Sequence, residues 1–220
     1  MSESKRAIVN VSTGPAFLRC QDRLIQALDK VGSTEKRFFW RDEFPPGAPP
    51  HAKVPYGFKL TALKAAMDAG YTTLLWLDSS IWPLHSLEPI WVLLEEQGYW
   101  FIRNYDLMTD QFCSDYARKL YGKSWEELSC IPQVVGGAFG LNTRKSIGRI
   151  IFVDLLEWRH RGAFANGLST YPFHVAHRHD QTSMSIVVNQ LGLNMSLPPC
   201  AFAERGRETI ETILVADRCR

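Results

Sequence analysis

Two hydrophobic patterns take turns along this chain: short runs of β-type apolar residues, and segments in which apolar positions return every three to four residues. Ala7-Ile8-Val9-Asn10-Val11 reads as a first strand, and the turn group Ser12-Thr13-Gly14-Pro15 follows it. Phe17, Leu18, Leu24, Ala27 and Leu28 then recur at helical spacing, and Arg37-Phe38-Phe39-Trp40 reads as a second short strand. Between Arg41 and Pro55 five prolines exclude regular structure and predict a loop over one edge of a cleft.

Tyr56-Gly57-Phe58-Lys59 opens a helix with Leu60, Leu63, Ala66 and Met67 on one face, and Gly70 stops it. Thr72 to Leu77 is a buried-type strand, so this stretch has a strand, crossover helix, strand pattern. Leu87, Ile90, Trp91 and Leu94 mark another helix, and Tyr99-Trp100-Phe101-Ile102 another strand. Ser114 to Leu128 reads as helix, with Ser124-Trp125-Glu126-Glu127 matching a capping box. Val134 to Asn142 is a strand broken by glycines, and Ile147, Ile150, Ile151, Leu155 and Trp158 define a long helix. After the polar aromatic stretch Tyr171 to His179, Asp180 is placed to begin a helix with Met184, Val187, Val188 and Leu191. Met195-Ser196-Leu197 and Thr209 to Val215 read as late strand pieces.

The alternation predicts an α/β fold: a single domain over residues 1–220 with a mixed, mainly parallel sheet flanked by helices. In such sheets ligands gather at the carboxyl ends of the strands, which sets Asp78, at the exit of the run Thr72 to Leu77, at the mouth of the cleft. With 220 residues, 45% of them hydrophobic, the chain has enough to bury one substantial core. A net charge of +2 is too small for polyanion binding to dominate. No window reaches the roughly 18 apolar residues of a membrane span, and Met1 to Arg6 leads into no signal-peptide core, so the expected location is cytoplasmic. Five cysteines without a Cys-x-x-Cys pair are expected to be reduced thiols.

Three segments in fixed order carry a resemblance: the strand ending in Asp78-Ser79-Ser80, the glycine strand Gly136-Gly137-Ala138-Phe139-Gly140-Leu141-Asn142, and His179-Asp180-Gln181-Thr182 leading into a helix. Together they resemble a glycosyltransferase of the GT-A fold, over about Tyr56 to Leu193 plus the first strand. The family's Asp-x-Asp motif bridges a divalent metal to the diphosphate of a nucleotide sugar. Asp78 matches its first position, while Ser80 stands where the second carboxylate is usual, a weak neutral donor for a hard cation. The resemblance implies a hexosyl- or pentosyltransferase with a nucleoside-diphosphate sugar donor and a Mn2+ or Mg2+ cofactor at Asp78 and Ser80. It places Ser12, Lys59, Asp78, Ser79, Ser80, Gly136, Gly137 and His179 against the donor, and gives Asp180 and Gln181 the catalytic roles. It also divides the domain into a nucleotide-binding half, about 6–105, and an acceptor-side half, about 106–220. The hydroxyl acceptor is a small molecule, a glycan, a protein or a modified DNA base, in a bacterial or viral host cytoplasm.

Each signal has a plainer alternative. Asp78 and Asp180 suit helix caps or turns, glycines inside a strand also make bulges, Lys59 suits a solvated helix face, and Trp76 and Trp91 suit the core. Arg41 and Asp42 read as surface loop charges, and Trp82 as lining the acceptor side. His174, His177 and His179 with Asp180 also permit a metal-dependent hydrolase or oxygenase, although they lack the i, i+4 spacing of a zincin. A noncatalytic binding module is the third alternative; two acidic residues in a glycine-lined setting favour chemistry over it.

Overall fold

The computed structural model describes residues 4–196 and 202–217. Its central sheet has five strands in the order β2 (Lys36–Arg41), β1 (Arg6–Ser12), β3 (Thr73–Leu77), β6 (Pro132–Asn142) and β5 (Tyr99–Met108). β1 pairs in parallel with both β2 and β3, whereas β6 runs antiparallel to β3 and to β5. Four of the five strands therefore point one way and β6 alone is reversed. Helices α1 (Pro15–Lys30) and α2 (Phe58–Asp68) are the crossovers that parallel neighbours require.

Alternation along β1 assigns the two faces. Ala7, Val9 and Val11 join a core with Leu60, Leu63 and Ala66 of α2, Ile151 and Leu155 of α6 (Ser146–His160), and Met184 and Val187 of α7 (His179–Gln190). Ile8 points the other way, into a core with Leu24 and Leu28 of α1 and with Ile90, Trp91 and Leu94 of α3 (Glu88–Gln97). A one-residue slip of β1 would exchange these sets, so the register is fixed from both sides. Truncating a fully buried leucine such as Leu24 to alanine removes about 2–5 kcal/mol.

Three elements differ from the sequence reading. The single helix expected over Ser114 to Leu128 is two: α4 (Asp115–Tyr121) ends at Gly122 with φ 64°, and Ser124 starts α5 (Trp125–Ser129) with the anticipated capping box. Ile81–Pro83 forms a further strand, β4, which joins β7 (Phe202–Glu204) and β8 (Leu214–Ala216) in a second sheet of order β4-β8-β7. Of the late pieces, Ser196 makes only an isolated bridge to Ile102, Leu197 lies outside the described residues, and Leu214 begins a strand shorter than expected.

The cysteine expectation also changes: Cys20 is disulfide-bonded, while Cys113 and Cys130 are free. The missing Cys-x-x-Cys pair spoke only to local pairing. Cys200 and Cys219 lie outside the described residues. Among the described residues no helix is long and apolar enough to cross a membrane.

Candidate active site

At the carboxyl end of β3 the chain leaves the sheet at Asp78, whose backbone N–H still donates to the carbonyl of Gly137 at 2.7 Å. Trp76 sits two residues earlier, so its side chain leaves the same face of the strand. Its indole Nε1–H donates to Asp78 Oδ1 at 2.7 Å, fixing the carboxylate. Trp76 is thus both core and site.

Lys59 lies in the first turn of α2 and is only 2% exposed. Its ammonium donates to the Gly136 carbonyl at 2.8 Å and stands 3.0 Å from Asp180 Oδ2 and 3.2 Å from Asp78 Oδ1. One buried cation therefore joins two carboxylates and the backbone of β6. Burial opposes the charge on Lys59, but Asp180 and Asp78 together outweigh it and raise the ammonium above the ordinary lysine range. Asp180 behaves oppositely: burial pushes its carboxyl up to about 6 even though Lys59 pulls it down. Asp180 is not the cap of α7; that position belongs to Arg178, which makes no side-chain capping bond.

Gly136 and Gly137 make room for side chains of the site. A Cβ at position 136 would lie 2.9 Å from Gln181 Cβ, and one at 137 would lie 2.8 Å from Ile81 Cδ1 and 3.0 Å from Asp78 Oδ2. The glycines expected to admit a donor sugar first of all admit Gln181 and Asp78.

Three cavities follow one another across this edge. The first, about 190 Å³, is walled by Phe44, His51 and Phe58 and floored by Ser79 and Ser80. The second, about 260 Å³, holds Lys59, Asp180, Gln181 and both glycines, and it shares Tyr56 and Asp78 with the first. The third, about 480 Å³, opens outward past Leu168 and shares His177 and His179 with the second. A recess of about 650 Å³ lies at the opposite end of the strands, where Arg6 and Glu95 are paired with each other.

No family model and no curated protein matches the sequence. Solved structures do. The WbbM bifunctional glycosyltransferase superposes with TM-score 0.60 at 11% identity, over 98% of this chain and 46% of that one. Mouse xyloside xylosyltransferase 1 gives 0.57 at 10% identity, over 99% and 98%. A glycosyltransferase involved in glycosylation of the major capsid of PBCV-1 gives 0.52 at 11% identity, over 96% and 91%. The chain has the GT-A fold.

Asp78 and Ser80, the two residues expected at an Asp-x-Asp position, both line the first cavity. As donors for a divalent cation these two give Asp78 Oδ2, which accepts no hydrogen bond from the described residues, and one neutral hydroxyl. That set fits a hard cation whose remaining ligands are phosphate oxygens and water. Among the described residues no group of three or more His, Cys, Asp or Glu is arranged to hold a metal.

Ser12 does not line the first cavity and Ser79 does, and the two hydroxyls are engaged with each other. They are 1% and 4% exposed, and the Ser79 hydroxyl donates to Ser12 Oγ at 3.0 Å. Asn10 completes this knot, donating to the Leu77 carbonyl at 2.6 Å and accepting from Gln21. The network sets the end of β3, from which Asp78 projects.

The histidines do not form a metal centre. Ser114 N–H donates to His177 Nδ1 at 3.3 Å, and Nε2 donates to the Ala163 carbonyl at 3.0 Å, so both nitrogens are committed. Burial pushes His177 down to about 4. His174 Nε2 is buried, and His179 gives Nδ1 to the Phe164 carbonyl at 3.0 Å. The metal-dependent hydrolase or oxygenase reading loses its ligand set: His177 and His179 hydrogen-bond the Ala163 and Phe164 carbonyls, and among the described residues no three His, Cys, Asp or Glu gather to hold a cation.

Sequence reasoning missed Tyr56. It has φ 60°, lines two of the cavities and lays its ring 5.1 Å from Lys59 Nζ. Its place after Pro55, at the end of a segment too rich in proline to be helical, was the available signal. His51 and Phe44 come from the same segment and had no periodicity to reveal them.

Proposed function

We propose that this chain is a glycosyltransferase that moves a sugar from a nucleoside-diphosphate sugar to a hydroxyl acceptor. The observation that carries the reading is the buried Lys59 between Asp78 and Asp180 at the carboxyl edge of a GT-A sheet. Two carboxylates held at a fixed spacing in a cleft are suited to a reaction that separates charge at an anomeric carbon.

The aromatic cavity of Phe44, His51 and Phe58 suits the nucleoside, and the diphosphate then lies at Asp78. Asp78 Oδ2 and the Ser80 hydroxyl would hold Mn2+ or Mg2+, which when bound neutralises charge on the departing diphosphate. The sugar occupies the second cavity over Gly136 and Gly137. There Asp180 faces the anomeric centre, and Gln181 offers its Nε2, a buried donor without a protein partner. Unpaired buried donors are costly, and a sugar hydroxyl supplies the missing acceptor. Residues 6–105 thus form the nucleotide half and 106–220 the acceptor half. The transferred sugar is a hexose or pentose, and the acceptor a small molecule, glycan, protein or modified DNA base.

The proposed setting is the cytoplasm of a bacterium or virus-infected host. Thiol titration of the unreduced protein tests that placement, because the Cys20 disulfide is of a kind rare in reducing compartments.

Calorimetry against a panel of nucleoside-diphosphate sugars, with and without Mn2+, tests the function. Saturable binding of one donor, abolished in Asp78→Asn, is the expected result. Absence of binding by every donor overturns the reading.

A further inference from the structure

Resting on the glycosyl-transfer reading, we infer that His179 Nε2 is the group that takes the proton from the acceptor hydroxyl. His179 borders both the cavity holding Asp180 and the outer cavity opening past Leu168, so it stands where donor and acceptor meet. Its Nδ1 donates to the Phe164 carbonyl at 3.0 Å, which fixes the tautomer and leaves the lone pair on Nε2. Among the described residues Nε2 has no hydrogen-bond partner, and the ring is only half-buried.

The other titratable groups around the second cavity are already committed. Lys59 carries its proton and is held by two carboxylates and the Gly136 carbonyl. Asp180 is 4% exposed and faces that ammonium. His177 has both nitrogens engaged with backbone, and Arg178 lies 4.0 Å over the Phe112 ring as a cation. Burial raises the Tyr56 phenol, which keeps its proton. Asp78 serves the diphosphate. Burial also lowers His179, with His51 adding to the effect against the Phe164 hydrogen bond, so the imidazole is neutral and basic at neutral pH.

The backbone supplies a second observation. His179 has φ 40°, a left-handed conformation that costs a non-glycine residue energy and is kept where the surrounding structure enforces it. The ring is held in place by Tyr56 at 5.8 Å and by His177, edge-on at 4.8 Å. In the step, the acceptor oxygen bonds to the anomeric carbon and the bond from that carbon to the diphosphate oxygen breaks. The electron pair of the broken bond leaves on the diphosphate, and the acceptor proton passes to Nε2.

The test uses water as acceptor and the uridine or guanosine diphosphate sugar that calorimetry shows to bind. His179→Gly suits the left-handed backbone and leaves a space of imidazole size; His179→Asn tolerates the backbone but fills the space. At saturating donor both should hydrolyse it about 100-fold more slowly than wild type, or worse. Added imidazole should restore hydrolysis in His179→Gly and not in His179→Asn. Unchanged hydrolysis in either variant, or a loss in His179→Gly that imidazole does not repair while donor affinity and thermal midpoint stay normal, overturns the assignment and leaves the donor reading standing. If no nucleoside-diphosphate sugar binds wild type, the donor reading itself falls and takes this assignment with it.

Discussion

Lys59 and Asp180 meet at 3.0 Å with both side chains closed off from solvent, and that contact locks the first turn of α2 against the first turn of α7. The helix dipoles treat the partners differently. Asp180 sits at the positive end of α7, where a carboxylate is favoured, while Lys59 sits at the positive end of α2, where an ammonium is opposed. The lysine is tolerated there because two carboxylates and a carbonyl receive it.

Removing that cation should be costly. Lys59→Met leaves Asp180 buried beside Asp78 with no counter-charge, and the expected loss is about 3–5 kcal/mol of stability in urea unfolding. Adding Asp180→Asn to the same chain should recover most of it. A loss below about 1 kcal/mol, the scale of an exposed pair, would contradict the buried-pair account.

Gly136→Ala is expected to displace Gln181, since the new methyl would lie 2.9 Å from its Cβ. The variant should lose about 1–3 kcal/mol through overpacking and bind donor more weakly. Gly136→Ala with Gln181→Gly, which removes the clashing Cβ, should regain part of that stability but not donor affinity. Equal donor affinity in both variants and wild type would show that Gln181 does not touch the sugar.

Ser80→Asp should strengthen cation use. It restores a second carboxylate beside Asp78, so Mn2+ affinity in the presence of nucleoside diphosphate should rise on the order of tenfold, about 1.4 kcal/mol. Titration calorimetry reads the change directly. In wild type, chelation should weaken nucleotide binding without lowering the thermal midpoint of the free protein.

Acid should loosen the loop 161–178 through His177. Its folded value of about 4 lies below the ordinary 6.5, so the unfolded chain takes up the proton first. The stabilising contribution is therefore complete above about 6.5 and is lost as pH falls through about 4, amounting to about 3 kcal/mol. Unfolding measured from pH 7 to 4 should show this loss in wild type and not in His177→Gln.

What could be read from the chain alone was whatever leaves a local trace. The strand ending in Asp78, the crossover helix opening near Lys59 and the helix start at His179-Asp180 each follow from apolar periodicity and turn residues a few positions apart. The partners of these residues leave no such trace. Nothing local says that Ser12 and Ser79, 67 positions apart, spend their hydroxyls on each other, or that Lys59 reaches Gly136 across 77 positions. Tyr56 and His51 come from a proline-rich segment whose path is set by tertiary contact, so their place in the site had to be seen. The histidine triplet looked like a ligand set because spacing records residue types and not the backbone carbonyls that engage one nitrogen each of His177 and His179.

β6 brings Gly136 and Gly137 to the site just past its pairing with β3, which covers Ala138 to Asn142, and within the register shift of its pairing with β5, between Phe139 and Val134. That floor is tied down instead by two carbonyls, Gly137 accepting from the Asp78 N–H at 2.7 Å and Gly136 from the Lys59 ammonium at 2.8 Å. Any breathing that admits donor or releases product must therefore be carried by the two irregular segments above it, 42–57 and 161–178, and hydrogen exchange should be quick there and slow along β6.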